Sequence, residues 1–394
     1  MLTVETLHSL VIEPKKPPVV EHVESSVMTD EQQVCDQATD VMERRSVAVG
    51  TEVDETKTIR LVESLLRETA NSNRIFDRLR PFHTNSLVRL QPIRSSTIST
   101  LIGEALPVSS MSCGSAGRTA ILIGENEHET WCSHSGRVVI AQRSRFISIP
   151  LAVCPSSSAW STQGVMAVGD VAGDVHLVFG DTVLSTIKVH SQAVSSLDWT
   201  PHSQLVSCGT DGHIAVLQLK GTSLEIGKSL RLSVSDLPRR IRKSSSSAKS
   251  LSIVAMSRFG EDLCVASETG GLWLVSMPDL RLKTIASEPQ AIQSVLYLPP
   301  LIALCGDDES TALLLNDGSF VDALPIAGVH QCKVDNELLV LADGTRMLIY
   351  DVTTRTVMFD EKRPTQSMSV SPQGDLVVLN ENELVTFRLM KDNA

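Results

Sequence analysis

Short runs of apolar or alternating residues dominate the chain beyond residue 83. The runs are four to six residues long, and Gly, Asp, Ser or Pro separates each run from the next. Alternation with a period of two, interrupted by turn residues at short intervals, is typical of β-strands in antiparallel sheets. This part of the chain is therefore predicted to be almost wholly β, as a sandwich, a barrel or a propeller.

The clearest repeated unit lies at residues 190–219. Its pattern predicts a strand that ends at Trp199, a second strand, the tight turn Asp211-Gly212 and a third strand. The same order of strands and turns recurs in six further places with decreasing clarity. The second and third strands of the seven units are predicted at 120–123 and 138–141, 165–169 and 175–179, 205–208 and 214–219, 263–266 and 272–275, 301–305 and 311–315, 338–341 and 347–352, and 376–379 and 384–387.

The spacing of the units favours one of the three β architectures. Seven units over residues 94–394 average about 43 residues, within the range of about 40–45 that WD repeats show. The order of strands in the clearest unit also resembles a WD-repeat blade, although no Trp-Asp dipeptide ends its third strand. The resemblance implies an all-β fold, a seven-bladed β-propeller over residues 83–394. It also implies a buried polar network inside the blade, formed by His190, Ser207 and Asp211.

The end of the chain predicts how the ring closes. Only seven residues follow Phe387, too few for an outer strand of the last blade. An open ring would leave unpaired strand edges, which folded proteins avoid. We therefore predict that an N-terminal strand near residues 86–91 completes the last blade.

The N-terminal residues have a different composition. The first 57 residues hold twelve acidic and five basic side chains, which is −7 of the chain's net charge of −11. They lack aromatic residues and sustained periodicity, so residues 1–55 are predicted to form a disordered acidic tail. Residues 56–80 repeat apolar positions every three or four residues, which predicts a short amphipathic helix. Its apolar positions include Ile59, Val62, Leu65 and Leu66.

Two stretches of the tail, 34–41 and 46–54, place a threonine before an acidic residue among β-branched neighbours. A segment of this kind can add as an extended strand to the edge of a partner's sheet. Two adjacent sites would suit dimeric partners, because the second binding event becomes intramolecular. The candidate partner-binding residues are Gln37, Thr39, Val49, Gly50, Thr51 and Glu52.

No catalytic or cofactor-binding motif emerges from the sequence, so we expect no enzyme activity, no cofactor and no metal. The densest group of possible metal ligands lies at 125–134, in the loop of the first blade. We interpret it as a solvated loop, because alternation would splay neighbouring side chains and the spacing differs from that of zinc sites. Its members are Glu125, Glu127, His128, Glu129, Cys132 and His134.

Charge and cysteine usage restrict the class of protein further. Without the tail the chain is nearly neutral, at −4, which argues against nucleic acid as a partner. Eight evenly spread cysteines without a C-x-x-C pair indicate reduced thiols in a cytoplasmic protein, and no segment predicts direct membrane insertion. The basic, serine-rich run at 237–249 is either a mobile solvated loop or a regulated contact for an acidic partner.

The order of tail, helix and propeller resembles that of cytoplasmic dynein intermediate chains, most closely those of the ciliary, intraflagellar-transport dynein. Val49-Gly50-Thr51-Glu52 matches that family's V-Q-T-E with Gly for Gln, and Gln37-Ala38-Thr39 keeps the Gln but inserts an Ala. In that family the tail motifs bind dimeric light chains, the helix binds a roadblock-type light chain, and the propeller holds the heavy chain.

The resemblance implies a non-catalytic subunit of a microtubule motor, located in the cytoplasm at the cytoskeleton or cilium. Its partners would be the dynein heavy chain, light chains and a second intermediate chain, and its role would be retrograde intraflagellar transport. The alternative is a WD-repeat scaffold of another assembly. A nuclear-pore subunit or an adaptor of a ubiquitin ligase or methyltransferase would fit that alternative, with localisation at the nuclear envelope or in the nucleus.

Overall fold

A computed structural model describes residues 88–98, 107–125, 128, 132–143, 145–237, 241, 251–287, 291–306, 309–381 and 383–391. Their strands form seven antiparallel sheets of four strands each. The prediction of an all-β, seven-bladed propeller is confirmed. The predicted tail, 1–55, and the predicted helix, 56–80, lie outside the described residues.

The first described strand, β1, spans Val88–Thr97 and belongs to the last blade. Blade 1 consists of β2 (Val108–Gly114), β3 (Arg118–Ile123), β4 (Gly136–Gln142) and β5 (Arg145–Leu151). Blade 2 consists of β6 (Pro155–Trp160), β7 (Met166–Asp170), β8 (Asp174–Phe179) and β9 (Thr182–Lys188). Blade 3 consists of β10 (Val194–Trp199), β11 (Gln204–Gly209), β12 (His213–Lys220) and β13 (Ser223–Arg231).

The other blades repeat this arrangement. Blade 4 consists of β14 (Ile253–Phe259), β15 (Asp262–Ser267), β16 (Gly271–Ser276) and β17 (Arg281–Ser287). Blade 5 consists of β18 (Ile292–Leu298), β19 (Leu301–Gly306), β20 (Thr311–Leu315) and β21 (Phe320–Leu324). Blade 6 consists of β22 (His330–Val334), β23 (Leu338–Ala342), β24 (Arg346–Asp351) and β25 (Thr356–Lys362). Blade 7 consists of β26 (Ser367–Val370), β27 (Leu376–Asn380), β28 (Glu383–Lys391) and β1. Two 3-10 helices span Ser115–Gly117 and Val234–Asp236.

The first strands of the blades form the innermost ring. Strands β2, β6, β10, β14, β18, β22 and β26 each contact the next in this order, and β26 contacts β2. Because strands within a blade are antiparallel, the loops between second and third strands lie at the same end as the links between blades. We call this end the connection face and the opposite end the hairpin face.

Burial decreases from the middle strands of a blade toward its outer strand. All residues of β23 are buried, whereas most residues of β9 are exposed. Middle strands are covered on both sides by neighbouring blades, so they appear as continuous apolar runs. The core accordingly lies between blades. Val206 of blade 3, for example, shares a cluster with Leu263 and Trp273 of blade 4.

The last blade combines both ends of the described chain. Strand β1 pairs antiparallel with β28, with Val88 opposite Lys391 and Thr97 opposite Glu383. A bulge between Pro92 and Arg94 interrupts this pairing, which suits Pro92 because proline cannot donate a ladder hydrogen bond. The strand extends beyond the predicted segment 86–91, of which residues 86 and 87 lie outside the described part.

No helix in the described part of the chain is both long enough and apolar enough to cross a membrane.

Candidate functional site

The predicted partner-binding residues of the tail and helix all lie outside the described part of the chain. They remain predictions from the sequence. The set comprises Gln37, Thr39, Val49, Gly50, Thr51 and Glu52 in the tail, and Ile59, Val62, Leu65 and Leu66 in the helix.

The structure brings the three predicted network residues of blade 3 together. His190 precedes β10, Ser207 lies in β11, and Asp211 lies in the turn between β11 and β12. The His190 Nδ1 atom is 3.0 Å from Asp211 Oδ1, and its Nε2 atom is 2.8 Å from Ser207 Oγ. The backbone N–H groups of Ser191 and His213 donate to the Asp211 carboxylate at 2.8 and 3.1 Å. The network thus joins the link from blade 2 to the connection face of blade 3.

The pKa shifts of Asp211 and His190 indicate the charge of each group in this network. Burial by itself would raise the pKa of Asp211, but the backbone N–H groups of Ser191 and His213, together with His190, lower the pKa to about 2. Burial lowers the pKa of His190, although Asp211 opposes this effect. A neutral imidazole therefore donates from Nδ1 to the carboxylate and accepts the Ser207 hydroxyl at Nε2.

The order Asp211, His190, Ser207 is also the order of a hydrolase triad. Catalysis requires that a substrate carbonyl reach the serine hydroxyl. Ser207 is 0% exposed and His190 is 1% exposed, so no substrate can reach the hydroxyl. The arrangement therefore supports a structural role, in which buried polar groups satisfy one another and fix the turn.

A related network in blade 2 escaped the sequence analysis. His176 Nε2 is 3.0 Å from Asp170 Oδ2, and His176 Nδ1 is 2.9 Å from Thr186 Oγ1. Its histidine lies in the third strand rather than in the link before the first strand. The WD-repeat pattern places its histidine before the first strand, so it does not indicate a histidine in the third strand.

An ionic cluster lies on the inner ring and also escaped the sequence analysis. Arg258 of β14 places its Nε atom 3.0 Å from Asp198 Oδ2 of β10 and donates from Nη2 to the Trp199 carbonyl at 2.8 Å. Lys333 of β22 donates to the backbone carbonyl of Arg258 and to that of Tyr297. Groups from blades 3, 4, 5 and 6 therefore meet at this point of the ring.

The pKa of Lys333 in this cluster is lowered. Burial lowers the pKa of Lys333 to about 8, and the nearby Asp198 carboxylate only partly opposes the shift. Its ammonium also lies 5.4 Å from the centre of the Phe259 ring, at cation–π distance. Because its hydrogen bonds and ion pair join strands of four blades, we interpret the cluster as a cross-blade fastening.

The structure changes the interpretation of the first-blade loop. The alternation of its residues predicts polar side chains that splay into solvent, and this prediction is wrong for three of them, His128, Cys132 and His134. Instead, one donor atom from each of His128, Cys132, His134 and Cys154 lies within 4.8 Å of the others. Cys154 comes from the link between blades 1 and 2, which folds onto the loop at the connection face. Burial raises the pKa of the Cys154 thiol to about 11.

Exposed apolar side chains occur at the end of the third strand of blade 2 and on the outer strands of blades 2 and 3. Phe179 is 52% exposed at the end of β8, and Val183 and Leu184 of the adjacent β9 are each 39% exposed. Ile226 of β13 is 47% exposed, and β13 contacts β9. We call Phe179, Val183, Leu184 and Ile226 the rim patch.

The basic run at 237–249 is described at only two positions. Leu237 is buried, and Ile241 is half-buried against the core between blades 3 and 4. The structure therefore shows how the start of this insertion is held, and the run's role stays a prediction.

No model of a protein family matches the sequence, and a search of curated proteins finds no match. Among solved structures, the chain is similar to the WD40 β-propeller domain of Doa1, with a TM-score of 0.56 and 13% identity over 76% of this chain and 97% of that one. It is also similar to a chain of a mitotic checkpoint complex, with a TM-score of 0.57 and 16% identity over 78% of this chain and 93% of that one. The chain therefore has the seven-bladed WD40 β-propeller fold.

Proposed function

We propose that the protein is a non-catalytic scaffold that holds protein partners, and specifically an intermediate chain of a ciliary dynein. The observation that carries the scaffold proposal is the rim patch on blades 2 and 3. The His190 network also supports a non-catalytic role for this blade. The Ser207 hydroxyl that contacts His190 is buried and cannot reach a substrate.

The rim patch has the character of a protein contact. Four large apolar side chains on β8, β9 and β13 remain exposed, although single exposed apolar residues are common on any surface. Exposed lysines flank them on the same strands, among them Lys188 and Lys228. An apolar centre with a charged rim matches the usual anatomy of a protein interface.

The assignment to dynein rests on the order of segments along the chain. The acidic tail with the Thr39 and Thr51 motifs would gather light chains, and the segment 56–80 would bind a further light chain. The propeller would hold the heavy chain, and paired light chains would bring two copies together. This assignment comes from the resemblance stated above, and the fold is compatible with it.

A scaffold of another assembly is the second candidate. The similarity to a propeller in a mitotic checkpoint complex supports a place in a multiprotein assembly without indicating which one. Under this alternative only the propeller would carry partners, and the tail would be incidental.

Deleting residues 30–80 distinguishes the two candidates. The tagged full-length chain and the deletion are expressed at equal levels in ciliated cells, and captured proteins are quantified by mass spectrometry. The dynein proposal predicts that light chains disappear from the deletion while the heavy chain is partly retained. An unchanged set of partners that lacks dynein subunits would support the other scaffold and reject the dynein assignment.

A pair of surface variants tests the rim patch itself. Phe179→Ser with Leu184→Glu places polarity on the patch without touching the core, and the partner bound by the propeller should be lost. Val329→Glu is the matched control, because Val329 is 45% exposed elsewhere on the ring. Equal capture by both variants would show that the rim patch is not the contact surface.

A further inference from the structure

The loop of blade 1 and the link to blade 2 bring four metal-ligating side chains to one point. We propose that His128, Cys132, His134 and Cys154 form a zinc-binding site. This proposal is independent of the proposed scaffold function, because it rests only on the local geometry of these residues.

The distances suit zinc. One donor atom of each side chain lies within 4.8 Å of the other three. A tetrahedral zinc ion with bonds of about 2.0–2.3 Å separates its ligands by about 3.3–3.8 Å. A contraction of about 1 Å therefore brings the four donors into coordination, which side-chain rotation in a loop can supply.

The donor types suit zinc as well. Two cysteines and two histidines form the set found in structural zinc sites, whereas calcium and magnesium prefer oxygen ligands. Two thiolates also neutralise the double positive charge of the ion. Because the protein supplies all four ligands, no position remains for a substrate, and the expected role is structural.

One ring nitrogen of His128 is available as a metal ligand. His128 Nε2 is buried and has no hydrogen-bond partner in the part of the chain that the structure describes. A buried polar atom without a partner destabilises the folded chain, and coordination to a metal would offset that cost. The His128 and His134 rings lie 6.0 Å apart at an angle of 62°, so they do not stack on each other.

The sulfur atoms receive backbone support. The Glu125 N–H donates to Cys154 Sγ at 3.3 Å, and the Cys154 N–H donates to Cys132 Sγ at 3.4 Å. Backbone donors of this kind orient thiolate ligands and stabilise their negative charge. In the structure, the Cys132 thiol donates to the His134 carbonyl at 3.4 Å. Metal binding would release the thiol protons and free that carbonyl.

Two glycines allow Cys154 to approach the loop. A Cβ atom at Gly124 would lie 2.8 Å from the Cβ of Cys154, and one at Gly136 would lie 2.8 Å from its Cα. Both distances are shorter than real Cβ contacts, so side chains at these positions would displace the cysteine. The local chain is therefore shaped to seat Cys154 between the two ends of the loop. A bound ion would fasten blade 1 to the blade 2 link on the connection face.

Metal content tests the site directly. The full-length chain, prepared without a metal-affinity tag in medium supplemented with zinc, is assayed by elemental analysis and native mass spectrometry. We expect about one zinc per chain, and less than about 0.1 in the double variant Cys132→Ser with Cys154→Ser, because two of four ligands are gone. The matched controls are Cys113→Ser and His202→Ala, which alter the same residue types outside the cluster and should retain the zinc.

Absence of zinc from the wild-type chain, or equal zinc in the double variant, would overturn the proposal. A Cys132–Cys154 disulfide in protein isolated under thiol-blocking conditions would overturn it too. If the double variant does not fold, labelling of wild-type thiols decides the question. Zinc should protect Cys132 and Cys154 from alkylation, and a chelator should expose Cys132 while Cys113 is unchanged. Equal labelling of Cys132 with and without chelator would contradict the site.

Discussion

Val88 and Lys391 lie opposite each other in the pair β1–β28, so the two ends of the described chain share one sheet. Val88 is 1% exposed and packs in the cluster between blades 6 and 7. The ring is therefore closed by a strand that is distant in sequence from the rest of its blade. A shortened chain that begins at residue 98 should lose this closure.

We expect that shortened chain to melt at a much lower temperature, with a broader transition, because it exposes the edge of β28 and part of the core. Thermal unfolding followed by circular dichroism measures the effect. A chain that begins at residue 83 is the control and should melt like the full chain. Identical melting of the chain that begins at residue 98 would show that β1 does not close the ring.

Replacing Asp211 with Ala should destabilise the propeller by about 1–3 kcal/mol, because the buried His190 imidazole and the N–H groups of Ser191 and His213 lose their acceptor. Urea denaturation at neutral pH measures the loss. Asp181, exposed in the turn between β8 and β9, provides the control Asp181→Ala, with an expected change within about 0.5 kcal/mol.

The stability lost in Asp211→Ala should depend on pH. The pKa of Asp211 is lowered from 3.8 to about 2 in the folded protein, so its stabilisation is present above pH 3.8 and is lost as the pH falls through 2. The difference in stability between wild type and Asp211→Ala should shrink over that range. A difference that stays constant down to pH 2 would contradict the charge state assigned to the network.

Lys333 should make stability rise with pH. Its pKa is lowered from 10.5 to about 8 on folding, so the unfolded chain binds more protons between these values. Stability from this group is therefore present above pH 10.5 and is lost as the pH falls through 8. Lys333→Met should remove that component, so its stability should change less between pH 8 and 10 than that of wild type. Urea denaturation of both proteins at pH 7, 8 and 10 measures how the free energy of unfolding changes with pH. Equal changes in the two proteins would contradict the assigned pKa shift of Lys333.

Trp273 should be among the costly core positions. Its side chain is 0% exposed between blades 3 and 4, so Trp273→Ala should lower the free energy of unfolding by about 3–5 kcal/mol. Phe179→Ala, on the half-exposed rim patch, should change it by less than about 1 kcal/mol. Chemical denaturation measures both, and equal losses would contradict the burial described for these two rings.

Much of the fold could be predicted from the sequence because each blade depends on local signals. Turn residues and apolar runs recur at every unit, and the structure has strands at all seven predicted pairs. His190, Ser207 and Asp211 could be found because they lie within one unit of a known pattern.

Two of the missed features depend on residues from different blades. Asp198, Arg258 and Lys333 meet only because the ring places their strands side by side, and no sequence spacing encodes that meeting. The zinc ligands illustrate a second reason. Cys154 lies in the link between blades 1 and 2, outside the loop, so no spacing within the loop indicates that it joins His128, Cys132 and His134.

Cross-linking mass spectrometry of the complex captured from cells tests most directly whether the propeller holds a protein partner. A lysine-reactive reagent should join Lys188 and Lys228, beside the rim patch, to one partner present in stoichiometric amount. Lys362, at the end of the outer strand of blade 6, should react with that partner much less. A chain isolated without a stoichiometric partner, or cross-linked to it only at Lys362, would contradict a scaffold that works through blades 2 and 3.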